Sequence, residues 1–482
     1  MIRNNATDRG EMKNALPILL TIGLIMVYTA TAMGLSVELT PGTLSEQWPK
    51  LKNCTDETVQ LTGSADVTDL VLLKEMSRNV KTLDMSGLKI VSYTYSDIDN
   101  IGRSEYAADE IPAYMLMGSS ITKIIFPQEL KIIGEGAFAD SELTEVEIPA
   151  TVSKIEAGAF SRCRALQKAV LTSEAQIGKG VFKDCVSLTS VEFKYGITSI
   201  PESMFEGCSK YSAVIPSSVS VIGAKAYRGT AAEDLNLISV ENIGKFAFAD
   251  MSSLSGVTLS QTQYITMDMG VFFNDPQLLQ LPTFSGDIPA LMAANSQKAG
   301  DLMINQPMIG EAAYADSPNV TTLTLGSNVN SIGANAFRNL TSLTLVDVVR
   351  KIDVTPQVDA TSFSGLENEE GRYNIKLNVT KGTEGTWSSH PVWGLFEVGN
   401  FDTGIQETLP GEVKINARRA GDSVIITSSE EIENIEIFGL NGTTLYQSRN
   451  AGKGLTAEGL DTANPLVVRI VSGGVVKVLK LR

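Results

Sequence analysis

The chain is poor in the residue types that build catalytic and metal sites. It contains one histidine, His390, and four cysteines among 482 residues. A Ser-His-Asp or Cys-His site could therefore use only His390. A histidine-rich zinc site is excluded, because protein zinc sites take several His or Cys ligands. Aromatic residues amount to only 6%. This composition disfavours an enzyme.

Positive charge is also scarce. The chain has 39 Lys and Arg residues against 55 Asp and Glu residues, which gives a formal net charge of −16 at pH 7. Nucleic-acid binders need a basic surface that displaces counterions from the phosphates, so we expect no nucleic-acid partner. The hydrophobic fraction of 43% is that of a globular chain.

Motifs for phosphate, zinc-protease or dinucleotide chemistry are absent from the sequence. The segment Asp97-x-Asp99-Asn100-x-Gly102 is only distantly similar to a calcium loop, and it lacks the bidentate Glu at the twelfth position. We therefore predict no catalytic residues, no cofactor and no metal.

An apolar stretch followed by small residues is found near the amino terminus. It runs from Ala15 to Met33, and Ala30-Thr-Ala32 fits a signal-peptidase site. We interpret residues 1–32 as a signal peptide cleaved after Ala32. Because Met12 precedes Lys13 and the apolar run, translation from Met12 is our hypothesis, with Met1 as the alternative. A membrane anchor is the other interpretation of the same run, which is near the ~20 residues that span a bilayer.

A repeat of about 22 residues fills the middle of the chain. Each of twelve repeats contains one marker residue, which is aromatic or apolar. An isoleucine lies five positions before most of these marker residues. The marker residues are Leu116, Phe138, Phe160, Phe182, Phe205, Tyr227, Phe248, Phe272, Ala293, Tyr314, Phe337 and Phe363. Internal repeats of this length are typical of solenoids, in which stacking buries what one repeat cannot bury alone.

Each repeat also carries a short alternating apolar run, such as Leu143-x-x-Val146-x-Ile148. Period two predicts a strand with one buried face. We expect Pro127, Pro149 and Pro216 to end such strands, because proline donates no ladder hydrogen bond. Three cysteines, Cys163, Cys185 and Cys208, each lie three residues after a marker aromatic. This spacing predicts a ladder of small buried side chains, and a metal cluster or a disulfide are the alternatives.

The pattern Ile-Gly-x-x-Ala-Phe, then x-x-Cys-x-x-Leu, then an apolar strand ending in Pro resembles the BspA-like leucine-rich repeat of bacterial surface proteins. The resemblance implies an α/β-type leucine-rich repeat solenoid of short strands with turns or short helices over residues 111–365. It further implies an N-terminal cap over 33–110 and a C-terminal cap over 366–401. A lid role for Trp387 and Trp393 is favoured over a ligand platform. Adhesion to host matrix or other bacteria is the implied function.

The last part of the chain is predicted to be a separate module. After a linker at 402–410, residues 411–482 contain about six short apolar runs, and Asn441-Gly442 is a hairpin signal. This predicts a small all-β sandwich. The module contains the motifs Ile435-x-Ile437-Phe438-x-x-Asn441-Gly442, Val467-x-Arg469-Ile470 and Lys477-x-x-Lys480. These motifs resemble the sorting domain of the type IX secretion pathway of Bacteroidetes. Asn464-Pro465-Leu466 stands where that family has Gly-x-Tyr, so a diverged, retained module is the alternative.

Outward strand positions provide the candidate partner-binding face, formed by Glu145, Glu147, Lys168 and Glu192. We predict an exported, cell-surface protein of the outer membrane that binds a protein or glycan on its solenoid surface. It would contact the membrane only through the signal peptide or surface attachment. A periplasmic or envelope scaffold is the alternative. A carbohydrate-active enzyme using paired carboxylates such as Glu145 and Glu147 is the third hypothesis.

Overall fold

The computed structural model of the chain describes residues 34–94 (without 77), 105–260 (without 173), 264–349 (without 280–283 and 285), 354–400, and most of 415–481. In the last range, 421–422, 429–430, 440–442, 450, 461–465 and 473–474 are outside the description. Two compact units are present. Unit 1 comprises Met1–Ile177 with Val191–Tyr195, and unit 2 comprises Gly178–Ser190 with Gly196–Arg482.

Several predicted features lie outside the described residues. They are the signal peptide with Met12 and Ala32, the segment Asp97–Gly102, the linker 402–410 and the hairpin residues Asn441 and Gly442.

Unit 1 begins with a parallel sheet whose strands are Leu35–Leu39, Thr58–Ala65, Thr82–Ile90 and Lys123–Ile125, in that order. A second parallel sheet contains Glu145–Ile148, Lys168–Leu171 and Ser190–Phe193. A column of two-residue parallel strands accompanies them: Glu110–Ile111, Ile132–Ile133, Lys154–Ile155 and Gln176–Ile177. A small antiparallel pair joins Tyr93–Thr94 to Glu105–Tyr106.

Unit 2 continues the same pattern. Its short strands are Ser199–Ile200, Val221–Ile222, Asn242–Ile243, Thr266–Met267, Met308–Ile309, Ser331–Ile332 and Gln357–Val358. Its longer strands are Asp234–Leu237, Gly256–Leu259, Leu302–Ile304, Thr322–Leu325, Leu345–Val348, Lys376–Asn378 and Glu397–Gly399. The isoleucine of the Ala293 repeat forms an isolated parallel bridge, Ile288 to Ile309. The chain is thus a parallel β-solenoid with little helix, as predicted.

The marker residues form the core of the repeats. All twelve are buried, each with at most 3% of its surface exposed. In unit 2, neighbouring rings stack almost face to face, with centroids 5.5 Å apart for Tyr227 and Phe248 and 5.8 Å apart for Phe248 and Phe272. The prediction that the 22-residue period buries these side chains in the core of the repeats is confirmed within each unit.

Each repeat turns sharply just after its marker residue. The residue two positions later has a positive φ in all twelve repeats, for example +57° at Asp140 and +61° at Asn274. This left-handed region suits Gly, Asn and Asp, which occupy eleven of the twelve positions, and Arg162 is the exception. The Arg162 guanidinium pairs with the Asp140 carboxylate at 2.7 Å.

The predicted cysteine ladder is present, and all three of its members are buried. The Cys163 thiol donates to the carbonyl of Phe138 at 3.1 Å, and the Cys208 thiol donates to the carbonyl of Phe182 at 3.0 Å. Burial raises the pKa of Cys208 to about 12. Serine, threonine and aspartate take the same position in other repeats, as at Ser141 and Asp275. The thiols therefore act as small donors to backbone carbonyls.

One predicted strand is missing. Residues 211–216 form no strand, so the expectation that Pro216 ends one is wrong. The segment from Tyr211 to Pro216 is one residue shorter than the equivalent segment from Leu143 to Pro149. The backbone N–H of Ala213 instead donates a hydrogen bond to the carbonyl of Tyr211, which forms a tight turn. Loss of one residue moves the following side chains to the opposite face of a strand. The shortened segment therefore cannot keep the alternation of buried and exposed side chains that this sheet requires.

Both ends of the repeats carry helical segments. At the N-terminal side these are Leu44–Lys52, Val67–Leu70 and the 3₁₀ turn Val71–Glu75. The buried Asp69 carboxylate holds them together by accepting from the backbone N–H groups of Gly42, Leu44 and Asp66. At the C-terminal side lie Glu384–Ser388 and the 3₁₀ turn Trp393–Leu395.

Trp387 and Trp393 are both buried, and Trp393 packs edge-on against Phe363, the last marker residue, with centroids 5.6 Å apart. These contacts are those of a packing lid over the last repeat. His390 accepts from the backbone N–H groups of Val392 and Trp393 through Nδ1, and burial lowers its pKa.

After residue 414 the chain forms two antiparallel sheets. One contains Ile415–Ala420, Ser423–Ser428 and Gly454–Ala457, and the other contains Thr444–Arg449, Ile432–Gly439, Leu466–Ser472 and Val475–Leu481. Side chains from both sheets share one apolar core, including Ile426, Ile437 and Val468. The described residues of this module form seven strands, against about six apolar runs in the sequence, and the additional strand is Gly454–Ala457.

Candidate functional site

The four predicted residues of the partner-binding face lie on one sheet of unit 1. Along Glu145–Ile148 the side chains alternate, with Val146 and Ile148 buried and Glu145 and Glu147 exposed. In the neighbouring strand, Lys168 lies directly opposite Glu145. Glu192 belongs to the third strand of this sheet and is also exposed. We refer to these four residues as the strand face.

Charges alternate from strand to strand across this surface. The Lys123 ammonium lies 3.8 Å from the Glu145 carboxylate, and Lys168 follows on the other side of Glu145. Lys194 pairs with Glu192 and lowers the pKa of that carboxyl through the hydrogen bond it donates. Lys168 also attracts Glu192. Both ion pairs are exposed, so each contributes little to stability.

Glu147 differs from the other two carboxylates. Its cross-strand neighbour is Val170, which is half-buried, and within the described residues no cation pairs with it. The strand face therefore offers one uncompensated carboxylate beside two compensated ones.

Two members of this surface were missed by the sequence prediction, Lys123 and Lys194. Lys123 precedes Glu145 by one full repeat of 22 residues, a spacing that places it on the neighbouring rung. Lys194 directly follows the strand that carries Glu192. The repeat spacing was the available signal for Lys123.

Two other kinds of functional feature, a metal-binding cluster and a membrane-spanning helix, are absent from the residues that the structure describes. Among the residues the structure describes, no cluster of three or more His, Cys, Asp or Glu side chains could hold a metal ion. Over the same residues, no helix combines the length and the apolar character needed to cross a bilayer.

A family model supplies the decisive comparison. The BspA-type leucine-rich repeat region matches this chain in six copies over residues 109–234, 175–288 and 302–380, more than half of the sequence. The chain belongs to the BspA-type leucine-rich repeat family. No curated protein matches it significantly.

Several solved structures are similar to this BspA-type chain, and the one from Bacteroides ovatus shares its fold. A leucine-rich repeat protein from Bacteroides ovatus is 19% identical with a TM-score of 0.50, covering 72% of this chain and 87% of its own. The pneumococcal vaccine antigen PcpA is 18% identical with a TM-score of 0.37, covering 68% and 75%. A leucine-rich cell surface protein from Faecalibacterium prausnitzii is 19% identical with a TM-score of 0.35, covering 62% and 81%.

Proposed function

We propose that this BspA-type chain is an exported surface protein that binds macromolecular partners through the strand face. The observation that carries the proposal is the exposed set of alternating charges on the sheet of Glu145–Ile148, Lys168–Leu171 and Ser190–Phe193. Repeat proteins commonly present such extended surfaces to partners. Charges arranged in this way direct the choice of partner and its rate of association.

The same geometry favours binding over catalysis. A glycosidase needs one carboxylic acid whose pKa is raised by an apolar, enclosed environment. Glu145 and Glu147 instead project from a sheet into solvent, and Glu145 is paired with Lys123. A single exposed face can recognise a partner without enclosing it.

Neutralising the strand face tests this proposal. The variant E145Q/E147Q/E192Q should reduce binding of the purified protein to decellularised epithelial matrix or to whole bacteria by about tenfold at 0.05 M salt. The loss should shrink at 0.5 M salt, because screening already weakens the wild-type contacts. Biolayer interferometry on immobilised matrix and bacterial cells would measure both.

The control is E129Q/E174Q, which neutralises two exposed carboxylates outside the strands of the same unit. This variant should bind like wild type. Equal losses in both variants would show that overall charge matters and not the strand face. Unchanged binding in the strand-face variant would refute the proposal.

Export and sorting form the second part of the proposed function. The two-sheet module after residue 414, with its shared core, would serve as a type IX secretion sorting domain. Removing residues 411–482 should leave the repeats inside the outer membrane. Trypsin shaving of intact cells, followed by mass spectrometry, should then release repeat peptides from cells expressing the full chain only.

The strand-face variant provides the control for export, because it should reach the surface as wild type does. Surface release of the truncated chain at the wild-type level would show that the module is not the sorting signal. Release of repeat peptides only after lysis of cells expressing the full chain would instead favour an envelope scaffold.

A further inference from the structure

A basic cleft lies in the N-terminal cap of unit 1. Its volume is about 390 Å³, and its rim carries three cations from separate segments, namely Lys52, Lys74 and Arg78. Lys52 ends the helix Leu44–Lys52, Lys74 lies in the 3₁₀ turn Val71–Glu75, and Arg78 follows that turn. This concentration of positive charge stands out in a chain of net charge −16.

The three cations form no ion pairs among the residues that the structure describes. Glu75 is the one carboxylate of the cleft lining. Lys81, in contrast, is neutralised by Glu142 at 3.0 Å while its ammonium also donates to the carbonyl of Ser120. The cleft lining therefore carries three cations and one carboxylate, which leaves it net positive.

The cleft wall is fixed by contacts of the cap. The Ser120 hydroxyl donates to the backbone carbonyl of Arg78 at 3.0 Å. This bond joins the segment before the strand Lys123–Ile125 to the segment that carries Arg78. Leu73 and Ile121, both buried, line its apolar part. A preformed wall lowers the conformational cost of binding.

Size and charge together define the ligand. A volume of 390 Å³ falls within the ~300–1,000 Å³ range of small-molecule sites and exceeds what a bare tetrahedral anion fills. Arg and Lys donors suit sulfate and phosphate oxygens. Glu75 would accept from a hydroxyl but would repel a second anion. We propose that the cleft binds a single sugar residue that carries a sulfate or phosphate ester.

Calorimetric titration of the full chain tests this at 0.05 M salt. The probes are N-acetylglucosamine 6-sulfate, N-acetylglucosamine 6-phosphate, unmodified N-acetylglucosamine and inorganic sulfate. At least one esterified sugar should bind about tenfold more tightly than the unmodified sugar and than inorganic sulfate. Comparison of the two esters distinguishes sulfate from phosphate as the recognised group.

The variants K74Q and R78Q should each weaken binding of the preferred ester by about tenfold. K50Q is the matched control, because Lys50 is exposed on the same helix as Lys52 but does not line the cleft. It should bind like wild type. Raising the salt from 0.05 to 0.5 M should weaken wild-type binding at least about fivefold.

Three results would overturn the proposal. They are equal binding of esterified and unmodified sugar, binding of inorganic sulfate as tight as that of the ester, and an equal loss in K50Q and R78Q. The salt series on the wild-type chain keeps the test decisive if a variant fails to fold. The strand-face variant should bind the ester normally, so this cleft and the proposed function are tested separately.

Discussion

Replacing Phe248 with alanine is expected to lower the free energy of unfolding by about 3–5 kcal/mol. The ring is fully buried and stacks between Tyr227 and Phe272. Truncation removes its buried area and leaves a cavity that the neighbouring repeats, held by their own ladders, can fill only in part. Urea denaturation followed by circular dichroism would measure the change.

The conservative variant F248L serves as the control and should cost less than about 1.5 kcal/mol, because it keeps most of the volume. Ala293 shows that one repeat tolerates a small marker residue. Ala294 and Ala299 of the same repeat are small and buried as well, whereas the Phe248 ring stacks directly on two aromatic rings. A loss below about 1 kcal/mol in F248A would contradict the stacked column as a source of stability.

The repeat core was predictable because one physical cause sets both sequence and structure. Stacking requires equivalent side chains every turn, so the period that marks Phe138 and Phe160 in the sequence is also the period of their rings, 5.2 Å apart. The left-handed turn after each marker was not predicted. Its signal is nevertheless present, since Asp140 and Asn274 are residue types that tolerate a positive φ.

The parts that were not predicted depend on contacts between distant segments or on a change of length. The lost strand before Pro216 follows from a segment shortened by one residue, which the 22-residue average conceals. The exposure of Glu145 and Glu147, in contrast, was predicted correctly from the alternation within Glu145–Ile148, because successive side chains of a strand point to opposite sides. The basic cleft combines a helix end and two turns, so neighbouring positions in the sequence do not reveal it.

Asp275 is a buried carboxylate in a core that is otherwise mostly apolar. It occupies the ladder position of the cysteines and serines, is fully buried, and accepts through Oδ1 from the backbone N–H of Met251 at 2.8 Å. Among the described residues, its other carboxylate oxygen has no hydrogen-bond partner. Burial, with a smaller contribution from the charge of Asp250, raises its pKa well above the ordinary value.

We expect D275N to stabilise the chain, and the gain should grow with pH. In the folded state Asp275 keeps its proton above pH 4, whereas in the unfolded state it loses that proton near pH 3.9. The unfolded state then binds fewer protons, so wild-type stability falls as pH rises, by about 1.4 kcal/mol for each unit until the folded-state pKa is reached. Asparagine preserves the acceptor for Met251 and carries no proton that unfolding could release.

Urea unfolding of wild type and D275N between pH 4 and pH 8 measures this linkage. The two proteins should differ little at pH 4 and diverge above it until the folded-state pKa of Asp275 is reached, with D275N the more stable. D287S is the control, because Asp287 is exposed in the same unit; its effect should stay within about 0.5 kcal/mol at every pH. A constant difference across this range would mean that Asp275 is ionised in the folded protein and that its second oxygen is satisfied.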